Sequence, residues 1–184
     1  MNQLSLFPEK KKVPTGFTYY PNFITSEEEQ ELLTIIKDLS FSSFEMHGVE
    51  AKRKIIHYGM KYDFLNRSAS SIGPIPEWLW DLKNRSEVLL GKVIPQALVT
   101  SYPIGSAIGW HHDAPSFESL LGISLLNSCR FQLRRGEMRH WEKYEINLEA
   151  RSAYVVRDEA RWQWQHHIPP VKDQRYSITF RTII

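Results

Sequence analysis

Apolar positions along the chain change their period near its middle. Between Ser26 and Leu39 they recur as Leu32, Leu33, Ile35, Ile36 and Leu39, the three-to-four spacing of one helical stripe. Ser26 followed by Glu29 reads as a capping-box pair, a hydroxyl for the amide three residues on and a carboxylate that reaches back. Glu27, Glu28 and Glu29 place negative charge at the positive end of the helix dipole. A second helix is predicted to open at Pro76 and run to about Leu90, with Leu79, Leu82 and Leu89 inward.

After Pro95 the helical spacing gives way to short runs rich in β-branched and aromatic residues, at 97–102, 121–126, 131–133, 144–148, 153–156 and 176–184. Turn residues separate them, and no helical stretch intervenes. Strands at this spacing read as a sandwich or barrel. The expected fold is α+β and mainly β, with two helices on one side of a β-core in the C-terminal half. Residues 1–16 read as a flexible tail, because Leu4, Leu6 and Phe7 stand alone and Lys10, Lys11, Lys12, Pro14 and Gly16 follow. That leaves 17–184 as a single domain.

Composition narrows the class. Of 184 residues 42% are hydrophobic, so the chain carries a core; its one cysteine, Cys129, excludes a disulfide framework. No apolar run approaches the roughly 18 residues that span a bilayer, and the N-terminus lacks the basic-then-apolar order of an export signal. A cytoplasmic monomer is the expectation. The net charge of +2 does not by itself announce a nucleic-acid binder, so such a reading must rest on local patches.

The sharpest local feature is Trp110-His111-His112-Asp113 at the exit of a predicted strand. In extended chain, residues i and i+2 share a face, so His111 and Asp113 point together and His112 points away. An imidazole and a carboxylate on one face are two members of a 2-His-1-carboxylate triad, which holds Fe(II) and leaves positions open for other ligands. The same pair equally describes a loop histidine hydrogen-bonded to its neighbour. Gln165-His166-His167-Ile168-Pro169 supplies a third ligand, His166 or His167. Strict alternation follows over 175–181. Arg175, Ser177, Thr179 and Arg181 share one face, while Tyr176, Ile178 and Phe180 face the core. Six residues of strand separate the two arginine backbones by roughly 20 Å. With both side chains extended inward, a gap of roughly 6–8 Å remains, the span of a five-carbon dicarboxylate held at each end by a planar guanidinium. Surface ion pairs are the alternative for both arginines.

Taken in order, Tyr102, His111-x-Asp113, His166 and Arg175-x-Ser177-x-Thr179-x-Arg181 resemble the AlkB family of Fe(II)- and 2-oxoglutarate-dependent dioxygenases, over about 17–181. The resemblance implies a double-stranded β-helix, or jelly roll, with N-terminal helices and a nucleotide-recognition lid. It implies that His111, Asp113 and His166 ligate Fe(II). By the same carry-over Tyr102, Arg175 and Arg181 hold 2-oxoglutarate, Arg175 at the distal carboxylate and Arg181 nearer the metal, and O2 is the second co-substrate. Thr100 and Ser177 stand where the family favours Asn, each keeping a shorter hydrogen-bonding group. The family ligand precedes a short segment reaching Ile and Pro, which favours His166 over His167. Pro115 occupies a place where some nucleobase dealkylases carry an acid.

The implied activity is oxidative dealkylation or hydroxylation of alkylated nucleobases in DNA or RNA, with DNA repair favoured. The same chemistry on a protein or small molecule, or a non-catalytic metal-stabilised binding module, are the other readings. Over 53–64, cations interleave with aromatics in the manner of a base-stacking surface. Tyr58 and Tyr62 are stacking candidates there, and Arg53 and Lys61 candidates for backbone contact; an ordinary hairpin with both tyrosines packed on the barrel is the alternative. Arg130, Arg134, Arg135 and Arg139 form a second basic group. Gln3-Leu4-Ser5-Leu6-Phe7 resembles the peptide by which bacterial repair and replication proteins dock on the sliding DNA clamp. Gln3 would make the polar contact, and Leu4, Leu6 and Phe7 the apolar ones.

Overall fold

The computed structural model describes residues 12–46, 49–63, 68–137 and 140–184; at 44–46, 49–50, 61–63 and 68–69 it places the strand but not the side chains. Gln3, Leu4, Leu6, Phe7, Arg139 and the side chain of Tyr62 therefore lie outside the described residues. In chain order the elements are β1 (Phe17–Tyr20), α1 (Ser26–Lys37), β2 (Ser42–Met46), β3 (Val49–Asp63) and β4 (Ser68–Gly73). A 3-10 turn (Glu77–Leu79), α2 (Trp80–Leu90), β5 (Gln96–Tyr102), β6 (Ile108–His111), β7 (Phe117–Leu125) and β8 (Cys129–Glu137) follow. The chain closes with β9 (His140–Leu148), β10 (Ala153–Val156), α3 (Asp158–Trp162), β11 (Gln165–Ile168) and β12 (Arg175–Ile183).

Two antiparallel sheets face one another. The larger runs β1-β10-β7-β12-β5-β3-β2, with β4 paired to β3; the smaller runs β6-β11-β8-β9. Apart from the neighbours β2-β3 and β8-β9, adjacent strands along each path are far apart in sequence, as the crossovers of a jelly roll require. Strand alternation then sorts side chains into two cores. One face of the large sheet, with Val99, Ile123, Val155, Ile178 and Phe180, packs on Leu32, Leu33 and Ile36 of α1 and on Leu79, Leu82 and Leu90 at α2. Between the sheets lie Tyr102, Phe131, Leu133, Val156, Trp164 and Ile168.

The six predicted strands are all present, and so are the two helices. Two expectations are corrected. The cap of α1 is Thr25 with Glu28, one residue earlier than Ser26 with Glu29: Thr25 N–H donates to Glu28 Oε2 at 2.7 Å, and Glu28 N–H to Thr25 Oγ1 at 3.2 Å. Glu29 is buried instead, accepting from Leu126 N–H at 2.9 Å and pairing with Arg151 at 3.4 Å, so its carboxylate holds the β7–β8 turn. The tail ends earlier than Gly16. Pro14 is buried, Ala160 N–H donates to Thr15 carbonyl (2.8 Å) and Arg157 N–H to Gly16 carbonyl (3.0 Å). Gly16 has φ +86, and a Cβ there would lie 2.1 Å from Arg157 carbonyl oxygen, so only glycine fits. The segment expected as a lid lies mostly on β3, which pairs with β5 as well as with β2 and β4 and so extends the large sheet.

Candidate active site between the two sheets

The site is built by register. β11 pairs with β6 so that His166 stands directly opposite His111. Their rings lie 4.1 Å apart, tilted at 60°. Asp113 follows two residues past the end of β6, and its Oδ2 is 3.6 Å from His166 Nε2. His111 Nδ1 donates to Gly109 carbonyl at 2.8 Å, which leaves Nε2 as the free ring nitrogen. The decoys separate. His112 is exposed. His167 faces the outer side of the small sheet, bonded through Nδ1 to Ile108 carbonyl and stacked on Trp110 at 4.8 Å.

Protonation states follow from burial and charge. Burial alone would raise the Asp113 carboxyl; Arg181, then His166, His111 and Arg161, outweigh it and hold the group well below the usual carboxylate range. Burial, followed by the nearby His111, pushes His166 down to about 3, and burial likewise lowers His111. The trio is thus one carboxylate and two neutral imidazoles, the state a divalent cation requires of its ligands. Among the described residues no three such groups come together as a ligand set. The donor chemistry nevertheless fits a metal. Asp113 Oδ2 is buried without a hydrogen-bond partner, beside two neutral ring nitrogens.

The polar face predicted for 175–181 lies in the space between the sheets. β12 sits between β5 and β7, so Arg175 opposes Tyr102, Ser177 opposes Thr100 and Ser124, and Arg181 opposes Gln96. At one end Arg181 donates to Asp113 Oδ1 through Nε (3.1 Å) and Nη2 (2.9 Å), and to Gln96 Oε1 through Nη1 (3.0 Å). At the other end Arg175 is 1% exposed, lies 4.5 Å over the Tyr102 ring and donates through Nη2 to Ser124 Oγ at 3.0 Å. Its Nε and Nη1 have no hydrogen-bond partner among the described residues. Ser177 Oγ donates to Tyr102 hydroxyl at 3.4 Å, and Thr100 is buried beside them. A guanidinium this deep with two idle donors and no carboxylate partner is costly unless an anion completes it. The arrangement fits a dicarboxylate with one end on Arg175 and the other toward Arg181 and the histidines.

Other candidates are distributed by alternation along β3. Arg53 donates to Ala107 carbonyl at 3.1 Å and lies electrostatically close to His111 and Tyr102, so it borders the site. Tyr58 falls on the opposite face, against the helix-side core and edge-on to Trp78 at 6.3 Å, which does not suit the stacking role expected of it. The second basic group is largely spent. Arg130 is paired bidentately with Glu145, Arg135 with Glu142 and Glu159, and Arg134 is sandwiched between Trp110 (4.3 Å) and Trp141 (4.2 Å).

Two residues at the site went unnoticed in the sequence. Gln96 links Arg181 to Met60 carbonyl and reaches His57 at 3.5 Å. Arg161 of α3 is 2% exposed and donates through Nη2 to the carbonyls of Asp113 (3.2 Å), Ala114 (2.8 Å) and Phe117 (2.8 Å). Both bind partners far off in sequence, so no local motif signals them.

Comparison with known proteins agrees with this geometry. The model of the 2OG-Fe(II) oxygenase superfamily matches residues 16–181. The alkylated DNA repair protein ALKBH8 homolog of Arabidopsis thaliana is 26% identical over 98% of this chain. The mouse tRNA (carboxymethyluridine(34)-5-O)-methyltransferase ALKBH8 is 25% identical over 87% of it. The chain spans 61% of the plant relative's length and 25% of the mouse protein's. The structure of OsALKBH1 superposes with a TM-score of 0.68 at 16% identity, covering 95% of this chain and 100% of that one. No helix among the described residues is long and apolar enough to cross a membrane. The chain belongs to the 2OG-Fe(II) oxygenase superfamily as an AlkB-like dioxygenase, whose cofactor is Fe(II) and whose co-substrates are 2-oxoglutarate and O2.

Proposed function

We propose that this dioxygenase oxidises alkylated nucleobases in a nucleic acid, with His111, Asp113 and His166 holding Fe(II). Tyr102, Thr100, Arg175, Ser177 and Arg181 hold 2-oxoglutarate. The observation that carries the site reading is Arg175, a buried guanidinium with two unpartnered donors facing the space that Asp113 and the histidines border. Bound Fe(II) supplies the activation of O2 at the expense of 2-oxoglutarate, which leaves as succinate and carbon dioxide while a carbon–hydrogen bond of the substrate is hydroxylated. The protein's own residues orient that chemistry. Arg175 takes the distal carboxylate in a two-pronged contact and Ser177 sets the Tyr102 hydroxyl beside it. Arg181 keeps Asp113 ionised and fixes its Oδ1, which leaves Oδ2 for the cation. Loss of formaldehyde from a hydroxylated N-methyl group needs no protein nucleophile.

The nucleic-acid reading is supported by the relatives, one named for repair of alkylated DNA and one for tRNA, and by Arg53 at the border of the site. DNA is favoured through the clamp-like Gln3, Leu4, Leu6 and Phe7, which would tether a nearly neutral enzyme to DNA at high effective concentration. The test is succinate release with Fe(II), 2-oxoglutarate and a panel of methylated DNA and RNA oligonucleotides, with Asp113→Ala as control. Stimulation by at least one methylated strand, with formaldehyde in step, is expected. Basal succinate release that no oligonucleotide stimulates would move the substrate to a protein or small molecule.

A further inference from the structure

We propose that the outer face of the small sheet is a docking surface for single-stranded nucleic acid, the strand that flanks the base presented to the metal trio. Arg134 and Lys143 take a phosphate there, and Trp141 stacks a base. The inference rests on the nucleic-acid reading given above and adds a surface outside the space between the sheets.

Alternation builds the face. Along β8, Phe131 and Leu133 turn inward and are buried, so Arg134 turns outward. His111 and His166 face inward, so Trp110 and His167 face out; Tyr144 packs on the inner core, so Lys143 and Trp141 face out. A row of planar groups then crosses all four strands. His167 of β11 stacks on Trp110 of β6 at 4.8 Å, and the Arg134 guanidinium of β8 lies 4.3 Å from the Trp110 ring and 4.2 Å from the Trp141 ring of β9. Three interstrand spacings make the row about 14 Å wide, the axial length of about four stacked nucleotides. Trp141 ends the row on an edge strand, and Arg134 is its one ring contact among the described residues, which leaves its other face for a base.

Arg134 is oriented but not neutralised. Its Nε donates to Gln165 Oε1 at 2.8 Å, and the two indoles fix the plane of the guanidinium. Its Nη1 and Nη2 make no hydrogen bond or ion pair among the described residues. Directly opposite on β9 stands Lys143, exposed and likewise outside any ion pair among the described residues. Like charges directly opposite on an antiparallel pair are unfavourable. Elsewhere the same hairpin avoids them: Arg135 opposes Glu142 and pairs with it, and Arg130 pairs with Glu145. A phosphate held between Arg134 and Lys143 removes the repulsion and uses the idle donors.

Two observations favour nucleic acid over other polyanions. Rings interleaved with cations match a strand in which bases alternate with phosphates, whereas an acidic peptide brings no rings to stack. The row also begins at the site itself. β6 is an edge strand of the small sheet, and its consecutive residues Trp110 and His111 face outward and inward. A strand that delivers one base toward His111 crosses this single edge and lies directly on the row.

The test is fluorescence anisotropy of labelled oligodeoxythymidylate and oligouridylate, each at about four and about sixteen nucleotides, over a series of salt concentrations. The full chain is used, with Mn(II) and 2-oxoglutarate and without O2. Arg134→Gln should weaken the longer strands about tenfold, lower the slope of log affinity against log salt by about 0.7, and affect the shorter strands less. Lys143→Gln, at an exposed position that keeps the fold, should weaken the longer strands about threefold with a similar loss of slope. Longer strands bound by both variants with wild-type affinity and slope overturn this surface alone. Equal weakening of short and long strands also overturns it, because the change then acts through the inner site. Displacement of the strand by polyglutamate as effectively as by unlabelled oligonucleotide overturns it in favour of an acidic protein partner. No binding of any strand by the wild type removes the nucleic-acid reading as well.

Discussion

Arg161→Met should damage metal binding out of proportion to its distance from the metal ligands. Arg161 Nη2 holds Ala114 and Phe117 carbonyls at 2.8 Å and Asp113 carbonyl at 3.2 Å, on a residue only 2% exposed. Its helix, α3, leads within a few residues to His166, so one guanidinium ties the loop of one ligand to the segment of another. A hydrogen bond from a charged donor contributes about 1.5–3 kcal/mol, and burial here means little solvent screening. Two good bonds and a longer one would sum to more. Methionine, however, keeps the packing and removes the cost of burying a charge. A net loss of about 3 kcal/mol results, or roughly 6–12 °C in a chain of this size. Loss of such supporting contacts typically weakens metal binding 10–100-fold. Denaturant unfolding measures the first quantity and Mn(II) titration of the folded variant the second. Arg161→Lys, which keeps the charge and one bond, should fall between the two proteins. Unchanged Mn(II) affinity in folded Arg161→Met would refute the tether, even with stability reduced.

Three other outcomes are expected. His166→Ala should abolish 2-oxoglutarate turnover while His167→Ala retains it, since His167 is committed to Ile108 carbonyl and Trp110 on the outer face; the reverse pattern in succinate release would exchange their roles. Glu29→Ala should cost about 2 kcal/mol in urea unfolding, because it strands Leu126 N–H, whose residue is held at φ +73, and frees Arg151; a change below 0.5 kcal/mol would show that water replaces it. A fluorescent peptide of residues 1–12 should bind purified bacterial sliding clamp at tens of micromolar or better, and the same peptide with Leu6→Ala and Phe7→Ala should not; equal binding by both ends the docking idea.

The polar face of β12 was legible because strand alternation is a local property. Arg175, Ser177, Thr179 and Arg181 declare it in seven consecutive residues, and the structure turns all four toward the inner space. The helices were equally legible in type, but not at their ends. Three consecutive glutamates permit the cap to begin at Thr25 or Ser26, and the choice is made far away: Glu29 is required by Leu126 N–H, 97 residues on, so Glu28 is left for the cap. β3 was hidden by its composition. Arg53, Lys54, Lys61 and their aromatic neighbours read as surface, and only pairing with β5 shows that one face of the strand meets the site while the other meets the helices. Arg161 was invisible for the same reason. Its partners are backbone carbonyls across the fold, which no spacing encodes.

The distribution of charge explains why a protein of net charge +2 suits an anionic co-substrate. Around the metal trio, Arg181, Arg161 and Arg53 all bear on Asp113 or His111, and Arg175 stands at the far end of the same face. Asp113 is the carboxylate that answers them, and both pairing nitrogens of Arg181 converge on its Oδ1. The surface does the opposite. Arg130, Arg135 and Lys92 are each matched to a glutamate there. Mean composition therefore hides a cavity that is positive inside and a shell that is largely balanced outside. Unmatched buried charge is costly, and a dianion that spans Arg175 and the metal removes that cost at both ends. A neutral 2-oxo acid or a monocarboxylate would leave one end uncompensated. On the proposed reading, the preference for a dicarboxylate is carried less by shape than by Arg175, whose Nε and Nη1 have no hydrogen-bond partner among the described residues.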